Sequence, residues 1–136
     1  MKKIENSKIL VTGGAGHVGS HIVDDLLNAG AKSIVIYDNF SQGRGSNIAH
    51  LTNDKRITIF RNDVRDYADI RNAMDKCDYV FHTASILLLE ARNNVNKAIE
   101  VNISGTLNVI LSAIETGVKK IIFSSTSAIG ATALIR

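Results

Sequence analysis

Apolar residues along the chain follow two alternating patterns. Five short runs rich in β-branched and aromatic residues predict strands at residues 8–12, 33–37, 57–60, 79–81 and 120–124. Between them, apolar residues at helical spacing predict helices over residues 18–27, 67–76 and 95–116, with Gly30 and Gly117 as stop signals. The polar, glycine-containing residues 38–46 predict a loop. Strands that alternate with helices indicate an α/β fold, in which a parallel sheet carries helices on both faces.

The helix predicted over residues 95–116 is apolar around most of its circumference. On a 100° wheel its polar side chains form one narrow stripe, at Lys97, Ser104, Asn108 and Glu115. A helix at the protein surface needs only one apolar stripe. The pattern therefore predicts that this helix packs on the sheet and also on a second partner. Without that partner, Val101, Leu107 and Leu111 are expected to lie in a large exposed apolar patch.

Asn102 lies within the apolar arc of the same helix. A buried amide needs hydrogen-bond partners. A nearby backbone group would satisfy it, and so would a role in ordering a functional site. These two interpretations are compatible.

The strongest chemical signal is the glycine-rich segment TGGAGHVG at residues 12–19. It follows the first predicted strand directly and opens the first predicted helix, where a phosphate-binding loop belongs. Gly13 would allow a tight turn, Gly16 the close approach of a pyrophosphate, and Gly19 the packing of helix against strand. The N–H groups at the helix start would face the phosphates. This placement favours a dinucleotide site over a glycine-rich turn without a ligand.

Two carboxylates follow the next two predicted strands. Asp38 stands where a dinucleotide fold meets the adenosine ribose, and a carboxylate there accepts hydrogen bonds from both hydroxyls. It would also repel a 2′-phosphate, so NAD is favoured over NADP, although Arg44 and Arg61 are nearby cations. Asp63 could accept a hydrogen bond from the adenine amino group while Val64 packs on the ring. The alternative is that both aspartates are ordinary turn or cap residues.

Six segments in order along the chain carry a family resemblance: TGGAGHVGSH (12–21), YDNFSQG (37–43), DVRD (63–66), FHTAS (81–85), VNISGTLNV (101–109) and FSSTSAIG (123–130). On these segments the chain resembles the N-terminal half of the extended short-chain dehydrogenases/reductases, especially the NAD-dependent nucleotide-sugar epimerases and dehydratases. The family fingerprint G-x-x-G-x-x-G is matched by Gly13, Gly16 and Gly19. The resemblance implies a Rossmann-type doubly wound sheet with strand order 3-2-1-4-5. It implies one NAD-binding domain over residues 1–136, truncated relative to the family.

The resemblance also implies cofactor contacts in the segments that follow the first four strands. The resemblance assigns the pyrophosphate to Gly16, His17 and Val18, and the ribose to Asp38, Asn39 and Ser41. It assigns the adenine to Asp63 and Val64, and the rest of the cofactor to Thr83, Ala84 and Ser85. Asn102 is implied as a support of the active site. Two positions in or beside these segments depart from the family pattern. His17 replaces the usual aromatic residue, and Leu87 stands where some epimerases carry a lysine, so neither points to one substrate.

Ser125 is the one catalytic candidate in the chain. In the family, a serine or threonine five residues before the glycine of a Tyr-Gly pair hydrogen-bonds the reacting sugar hydroxyl. Counting back from Gly130 assigns this role to Ser125, although Ile129 replaces the tyrosine of the pair. The alternative is a polar strand end whose hydroxyls cap loops.

Composition narrows the classes of function. The net charge of +3 is scattered, so no nucleic-acid partner is predicted. The longest strictly apolar run, Ile86–Leu89, is too short to span a membrane, and no signal peptide is visible. The single cysteine, Cys77, indicates a reducing, cytoplasmic setting. The cysteine and the histidines are not clustered along the sequence, so no metal site is predicted.

The chemistry of the family needs a Tyr-x-x-x-Lys pair after the fifth strand. The lysine lowers the pKa of the tyrosine, so that the phenolate takes a proton from a sugar hydroxyl while hydride moves to NAD. Tyr37, Tyr67 and Tyr79 have no lysine four residues later.

We therefore expect the chain to be the NAD-binding part of a nucleotide-sugar epimerase or dehydratase, with a UDP-sugar as substrate of the complete protein. The chain alone is expected to be inactive and to form a homodimer through helix 95–116. A non-catalytic dinucleotide-binding module and a related NAD-dependent carbonyl reductase are the alternatives.

Overall fold

A five-stranded parallel sheet forms the centre of the protein. A computed structural model of the chain describes residues 4–125. The strands are β1 (Lys8–Thr12), β2 (Ser33–Tyr37), β3 (Ile57–Phe60), β4 (Tyr79–His82) and β5 (Lys120–Phe123). They lie in the order β3-β2-β1-β4-β5, and each neighbouring pair is parallel. The predicted α/β class and strand order are confirmed.

Helices connect the strands. They are α1 (His17–Asn28), α2 (Tyr67–Ala73), α3 (Leu88–Asn93), α4 (Val95–Ile99) and α5 (Thr106–Thr116), with a 3₁₀ helix at Gly45–Leu51 and a π helix at Glu100–Gly105. The sequence pattern predicts neither α3 nor the 3₁₀ and π helices. The helix predicted over residues 67–76 ends at Ala73, because a turn follows in which Lys76 adopts φ +56°. Within residues 4–125, no helix has the length and apolar character needed to cross a membrane.

Alternate residues of the central strands enter two apolar layers, one on each face of the sheet. Val11 of β1 faces the layer that contains Val23 of α1. Its neighbour Leu10 faces the opposite layer, which contains Ile70 of α2 and Val109 of α5. Each of these five side chains is fully buried. The period of two along β1 therefore covers both faces of the sheet with helices, as a parallel sheet requires.

The segments α4, π helix and α5 form one continuous helical segment, Val95–Thr116, which we call the long helix. Its outer side exposes a row of apolar side chains, at Val95, Ile99, Ile103, Leu107, Ile110, Leu111 and Ile114. The prediction that Val101 belongs to this patch is wrong, because Val101 is buried in the core layer beside Val64 and Val109. On a 100° wheel Val101 lies on the same side as the buried Val109 and away from Leu107. It therefore belongs to the side of the helix that packs in the core layer.

Candidate functional site

A cleft opens where β1, β2 and β4 end, at the carboxyl edge of the sheet. This edge is where ligands bind in open α/β sheets. The cleft is partly open to solvent. Its lining is formed by Gly13, Gly16, Tyr37, Asp38, Asn39, Ser41, Gln42, Gly43, Asn62, Val64, Thr83, Ala84, Ser85, Ile86, Lys97 and Val101. Nine of the fifteen residues proposed from sequence therefore line one cleft.

The glycine loop between β1 and α1 brings bare backbone to this cleft. Gly13 adopts φ +69°, and its N–H donates to the Tyr37 carbonyl at 2.8 Å. A Cβ on Gly13 would lie 2.8 Å from the Ala84 nitrogen. A Cβ on Gly19 would lie 2.1 Å from the Gly13 carbonyl oxygen. These two positions require glycine, since any side chain would push the loop away from β4 or from α1.

The amino end of α1 adjoins the glycine loop. Gly16 is the N-cap residue and lines the cleft, whereas His17 and Val18 lie in the first turn of α1 with exposed side chains and do not line it. Gly19 is buried beneath this turn. The first N–H groups of a helix have no partner within the helix, and its positive end attracts anions. His17 and Val18 can therefore contribute to anion binding through backbone N–H groups.

Asp38 is held in place by backbone donors. Its Oδ2 accepts from the Ala15 N–H at 2.9 Å, and its Oδ1 accepts from the Phe40 N–H at 2.7 Å. The residue is 7% exposed and lines the cleft. A Cβ on Gly43 would lie 2.9 Å from both carboxylate oxygens, so this glycine leaves room beside them. The carboxylate is thus preorganised, with further acceptor capacity towards the cleft.

The two arginines considered for NADP do not pair with Asp38. Within residues 4–125 no salt bridge joins Asp38 to a cation. The Arg61 guanidinium lies 4.0 Å from the centre of the Phe40 ring. The Arg44 backbone N–H donates to the Ala15 carbonyl. The negative charge of Asp38 therefore stays available to ligand hydroxyls.

Asn39 and Ser41 shape the loop that follows β2. The Asn39 side-chain oxygen accepts from the Ser41 N–H at 2.9 Å. The Asn39 amide donates to Asp63 Oδ2 at 2.8 Å. Both residues are exposed and line the cleft. Asn39 therefore links the loop after β2 to the loop after β3.

Asp63 does not line the cleft, whereas its neighbour Val64 does. The Asp63 carboxylate accepts from the Arg65 backbone and guanidinium, and also from Asn39. Burial alone would raise its pKa, but the hydrogen bonds from Arg65 and Asn39 prevail and lower the pKa of Asp63 to about 2. The Tyr37 hydroxyl donates to the Asp63 carbonyl at 3.0 Å. Asp63 is thus part of a framework that positions Val64 at the cleft wall.

The segment after β4, residues 83–86, forms the opposite wall. The Thr83 hydroxyl donates to the Thr12 carbonyl at 2.7 Å. Asn102 holds both backbone groups of Ile86: its Oδ1 accepts from the Ile86 N–H at 2.7 Å, and its Nδ2 donates to the Ile86 carbonyl at 3.0 Å. Asn102 does not line the cleft. The Asn102 amide is therefore satisfied by backbone groups and orders a wall of the cleft, and its role as a support of an active site stays a prediction.

Three polar side chains that the sequence did not predict, those of Gln42, Glu90 and Lys97, contact one another beside the cleft. Lys97 lines the cleft, and its ammonium group lies 2.8 Å from Glu90 Oε1. The Gln42 amide donates to Glu90 Oε2 at 2.6 Å. These contacts join the loop after β2 to α3 and the long helix. The polar stripe of the long helix, which includes Lys97, was the only signal in the sequence.

Ser125 lies just beyond β5, is exposed, and does not line the cleft. Gly130 and Ile129, on which its register depends, lie outside the described residues. Leu87 is 65% exposed. Within residues 4–125, no three histidine, cysteine or acidic side chains come together as a set that could hold a metal ion.

Comparison with known families adds a match along most of the chain. The sequence model of the 3-beta hydroxysteroid dehydrogenase/isomerase family matches residues 10–134, from β1 to beyond β5. The chain belongs to the 3-beta hydroxysteroid dehydrogenase/isomerase family. The predicted relationship to dehydrogenases and epimerases is therefore confirmed.

This family member also resembles enzymes of nucleotide-sugar metabolism. It is 36% identical to UDP-glucuronic acid decarboxylase 1 of Arabidopsis thaliana, over 90% of the chain and 27% of the plant protein. An epimerase structure from Methanothermobacter thermautotrophicus superimposes with a TM-score of 0.86 at 32% identity, over 98% of the chain and 39% of that protein. The structure of the dTDP-glucose 4,6-dehydratase DesIV from Streptomyces venezuelae, with NAD and TYD bound, superimposes with a TM-score of 0.79 at 27% identity. The match covers 84% of the chain and 38% of DesIV. The chain thus spans less than half the length of these relatives.

Proposed function

We propose that the chain binds NAD in the cleft as the cofactor-binding part of a nucleotide-sugar epimerase or dehydratase. The observation that carries the proposal is the juxtaposition of Asp38 with the glycine loop. A preorganised carboxylate stands beside Gly16 and the amino end of α1, so ribose hydroxyls and a pyrophosphate would each meet a matching group. The NAD bound to DesIV supports this choice of cofactor.

In this proposal NAD lies extended along the carboxyl edge of the sheet. Gly13, Gly16, Gly19 and the backbone of His17 and Val18 would hold the pyrophosphate. On one side the ribose and adenine contacts would come from Asp38, Asn39, Ser41, Val64 and, through its loop, Asp63. On the other side the contacts would come from Thr83, Ala84 and Ser85, with Asn102 behind them. Because Cβ atoms at Gly13 and Gly19 would collide with neighbouring backbone, the loop suits a close backbone approach to phosphate.

The complete protein is proposed to oxidise a sugar hydroxyl transiently, with bound NAD as the hydride acceptor. Ser125 would hydrogen-bond the reacting hydroxyl. The tyrosines of this chain cannot serve as its base: burial raises the pKa of Tyr37, and a hydrogen bond to Glu115 raises that of Tyr67. Tyr79 is followed four residues later by Thr83 rather than lysine. The chain alone is therefore proposed to show no turnover when assayed with UDP-sugars.

The proposed substrate of the complete protein is a UDP-sugar, as the name of the plant decarboxylase suggests.

A homodimer through the long helix is proposed from the apolar side chains on its outer side. A cytoplasmic location is proposed from the single cysteine, Cys77, which is buried and unpaired by any disulfide.

Calorimetric titration with NAD and NADP tests the cofactor proposal. NAD is expected to bind more tightly, because the Asp38 charge opposes a 2′-phosphate. Asp38→Ala is expected to weaken NAD binding by about 1.5–3 kcal/mol, the scale of hydrogen bonds to a charged group. Asp24→Ala is the control, since that carboxylate lies on α1 outside the cleft, where it pairs with His50 of the 3₁₀ helix. Equal or tighter binding of NADP would contradict the role given to Asp38.

A further inference from the structure

His82, the last residue of β4, is a buried histidine with a hydrogen bond at each ring nitrogen. It is 2% exposed and does not line the cleft. Its Nδ1 lies 2.6 Å from the Thr12 hydroxyl, at the end of β1. Its Nε2 lies 3.0 Å from the Thr106 hydroxyl, at the start of α5. The ring also stacks at a tilt on Phe123 of β5, with 5.4 Å between ring centres.

The neighbours of the two threonines determine which ring nitrogen carries the proton. The Thr106 hydroxyl donates its single hydrogen to the Asn102 carbonyl at 2.8 Å, so Thr106 can only accept from His82. The Thr12 hydroxyl oxygen accepts from the N–H groups of Thr83 and Ala84, at 3.2 and 3.3 Å, which leaves its hydrogen for His82 Nδ1. The imidazole is therefore neutral, with its proton on Nε2. Burial lowers the pKa of His82 to about 4, in agreement with this state.

These bonds form a directed chain that begins and ends on one wall of the cleft. At one end, the N–H groups of Thr83 and Ala84 donate to Thr12. At the other end, the Thr106 hydroxyl donates to the carbonyl of Asn102. The Asn102 side chain in turn makes hydrogen bonds to the N–H and the carbonyl of Ile86. Within the part of the chain that the structure describes, His82 joins the two ends through its two ring nitrogens. The imidazole thus spans from the strand that carries the glycine loop to the long helix.

We propose that His82 is a positioning residue for the dinucleotide site, fixing residues 83–86 against the glycine loop through a neutral imidazole protonated at Nε2. The effect of His82 on NAD affinity rests on the proposed NAD binding, whereas the positioning of residues 83–86 is a property of the chain without ligand. A histidine that merely filled the core would need no particular tautomer. It would also leave residues 83–86 unaffected when one of its partners is replaced.

Nitrogen NMR of the full chain tests the tautomer directly. We expect the His82 ring at pH 7 to show an unprotonated Nδ1 and a protonated Nε2, in the presence or absence of NAD. A ring protonated at Nδ1, or at both nitrogens, would overturn the proposal. This result does not depend on whether NAD binds.

A pair of matched threonine variants tests the positioning. Thr106→Val removes the acceptor for His82 together with a hydroxyl bond to the carbonyl four residues earlier. Thr116→Val is the control, because its hydroxyl makes the same kind of bond to Ser112 without contacting His82. Thr106→Val is expected to speed amide hydrogen exchange at Ile86 about tenfold, the scale of one lost buried hydrogen bond, and Thr116→Val to leave it unchanged. Equal exchange in the two variants would overturn the proposal.

The same pair separates the positioning from the proposed function. If NAD binds, Thr106→Val is expected to raise its Kd about tenfold relative to Thr116→Val. If exchange at Ile86 changes as expected but NAD does not bind the wild-type chain, the proposed function fails and the positioning stands. If NAD binds and the two variants have the same Kd, the role of His82 in the site is refuted.

Discussion

At the scale of single residues, two titratable groups behind the cleft walls, His82 and Asp63, are held in different charge states. His82 is desolvated, which lowers its pKa to about 4 and keeps the imidazole neutral. Asp63 is also desolvated, but hydrogen bonds from Arg65 and Asn39 hold its pKa at about 2 and keep the carboxylate charged. One wall therefore depends on an uncharged ring and the other on a charged carboxylate. Acid affects the two walls at different pH values.

The pKa of His82 predicts an acid-dependent loss of stability. The unfolded chain binds a proton at this residue near the ordinary value of 6.5, whereas the folded chain does not until about pH 4. The free energy of unfolding is therefore expected to have its full value above pH 6.5 and to fall by about 3 kcal/mol as the pH falls to 4. Urea unfolding at several pH values measures this. His82→Gln, which cannot titrate, is expected to lose this part of the slope, and an unchanged slope would contradict the assignment.

Gly19→Ala tests the close packing of α1 on the glycine loop. The added Cβ would lie 2.1 Å from the Gly13 carbonyl oxygen, so the loop must move. We expect a loss of about 1–3 kcal/mol in the free energy of unfolding, as in other overpacked sites, together with weaker NAD binding. Gly45→Ala is the control, because a Cβ there meets no atom within 4 Å. Melting curves that coincide for the two variants would rule out this packing constraint.

At the scale of elements, the inner side of the long helix supports the cleft, and its outer side exposes apolar side chains. On the inner side, Asn102 holds Ile86, and the Asn108 amide donates to the Val64 carbonyl at 3.0 Å. Gly105 lies against Val64, where a Cβ would approach the Val64 side chain to 2.6 Å. One helix therefore supports both walls of the cleft. Its outer side exposes large apolar groups at successive turns, for example at Leu107 and Ile114.

This outer side predicts self-association of the chain. Covering about 400 Å² of apolar surface gives on the order of 10 kcal/mol before the cost of association. Light scattering of the purified chain is expected to show dimers or larger species, and Leu107→Glu or Leu111→Glu to reduce them. Ile59→Glu is the control, since Ile59 is an exposed apolar residue of β3, at the other edge of the sheet. A monomer at high concentration, unaffected by either helix variant, would show that this side does not drive association.

The elements also show how far the sequence alone could lead. Local periodicity was sufficient for the five strands, and the spacing of Gly13, Gly16 and Gly19 was sufficient to locate the cleft. The burial of Val101 was missed, although a 100° wheel places it on the same side as the buried Val109. The pairing of His82 with Thr12 joins residues 70 positions apart. Such a contact depends on which strands become neighbours in the sheet, and no local pattern encodes it.

At the scale of the whole molecule, the sheet brings distant segments to one edge. The glycine loop after β1, Asp38 after β2, Val64 after β3 and residues 83–86 after β4 all line the same cleft. Parallel strands make this convergence unavoidable, because all of their carboxyl ends lie on one side. The central claim is that NAD binds at this edge rather than elsewhere on the surface.

The most direct test is a two-dimensional amide NMR spectrum of the chain titrated with NAD. The account predicts concentration-dependent shifts of the Gly13, Gly16 and Ser85 amides. It predicts no shift at Asp75 and Lys76, which lie near the start of β1, where Lys8 donates to the Asp75 carbonyl. No shift at saturating NAD, or shifts confined to the outer side of the long helix, would contradict it.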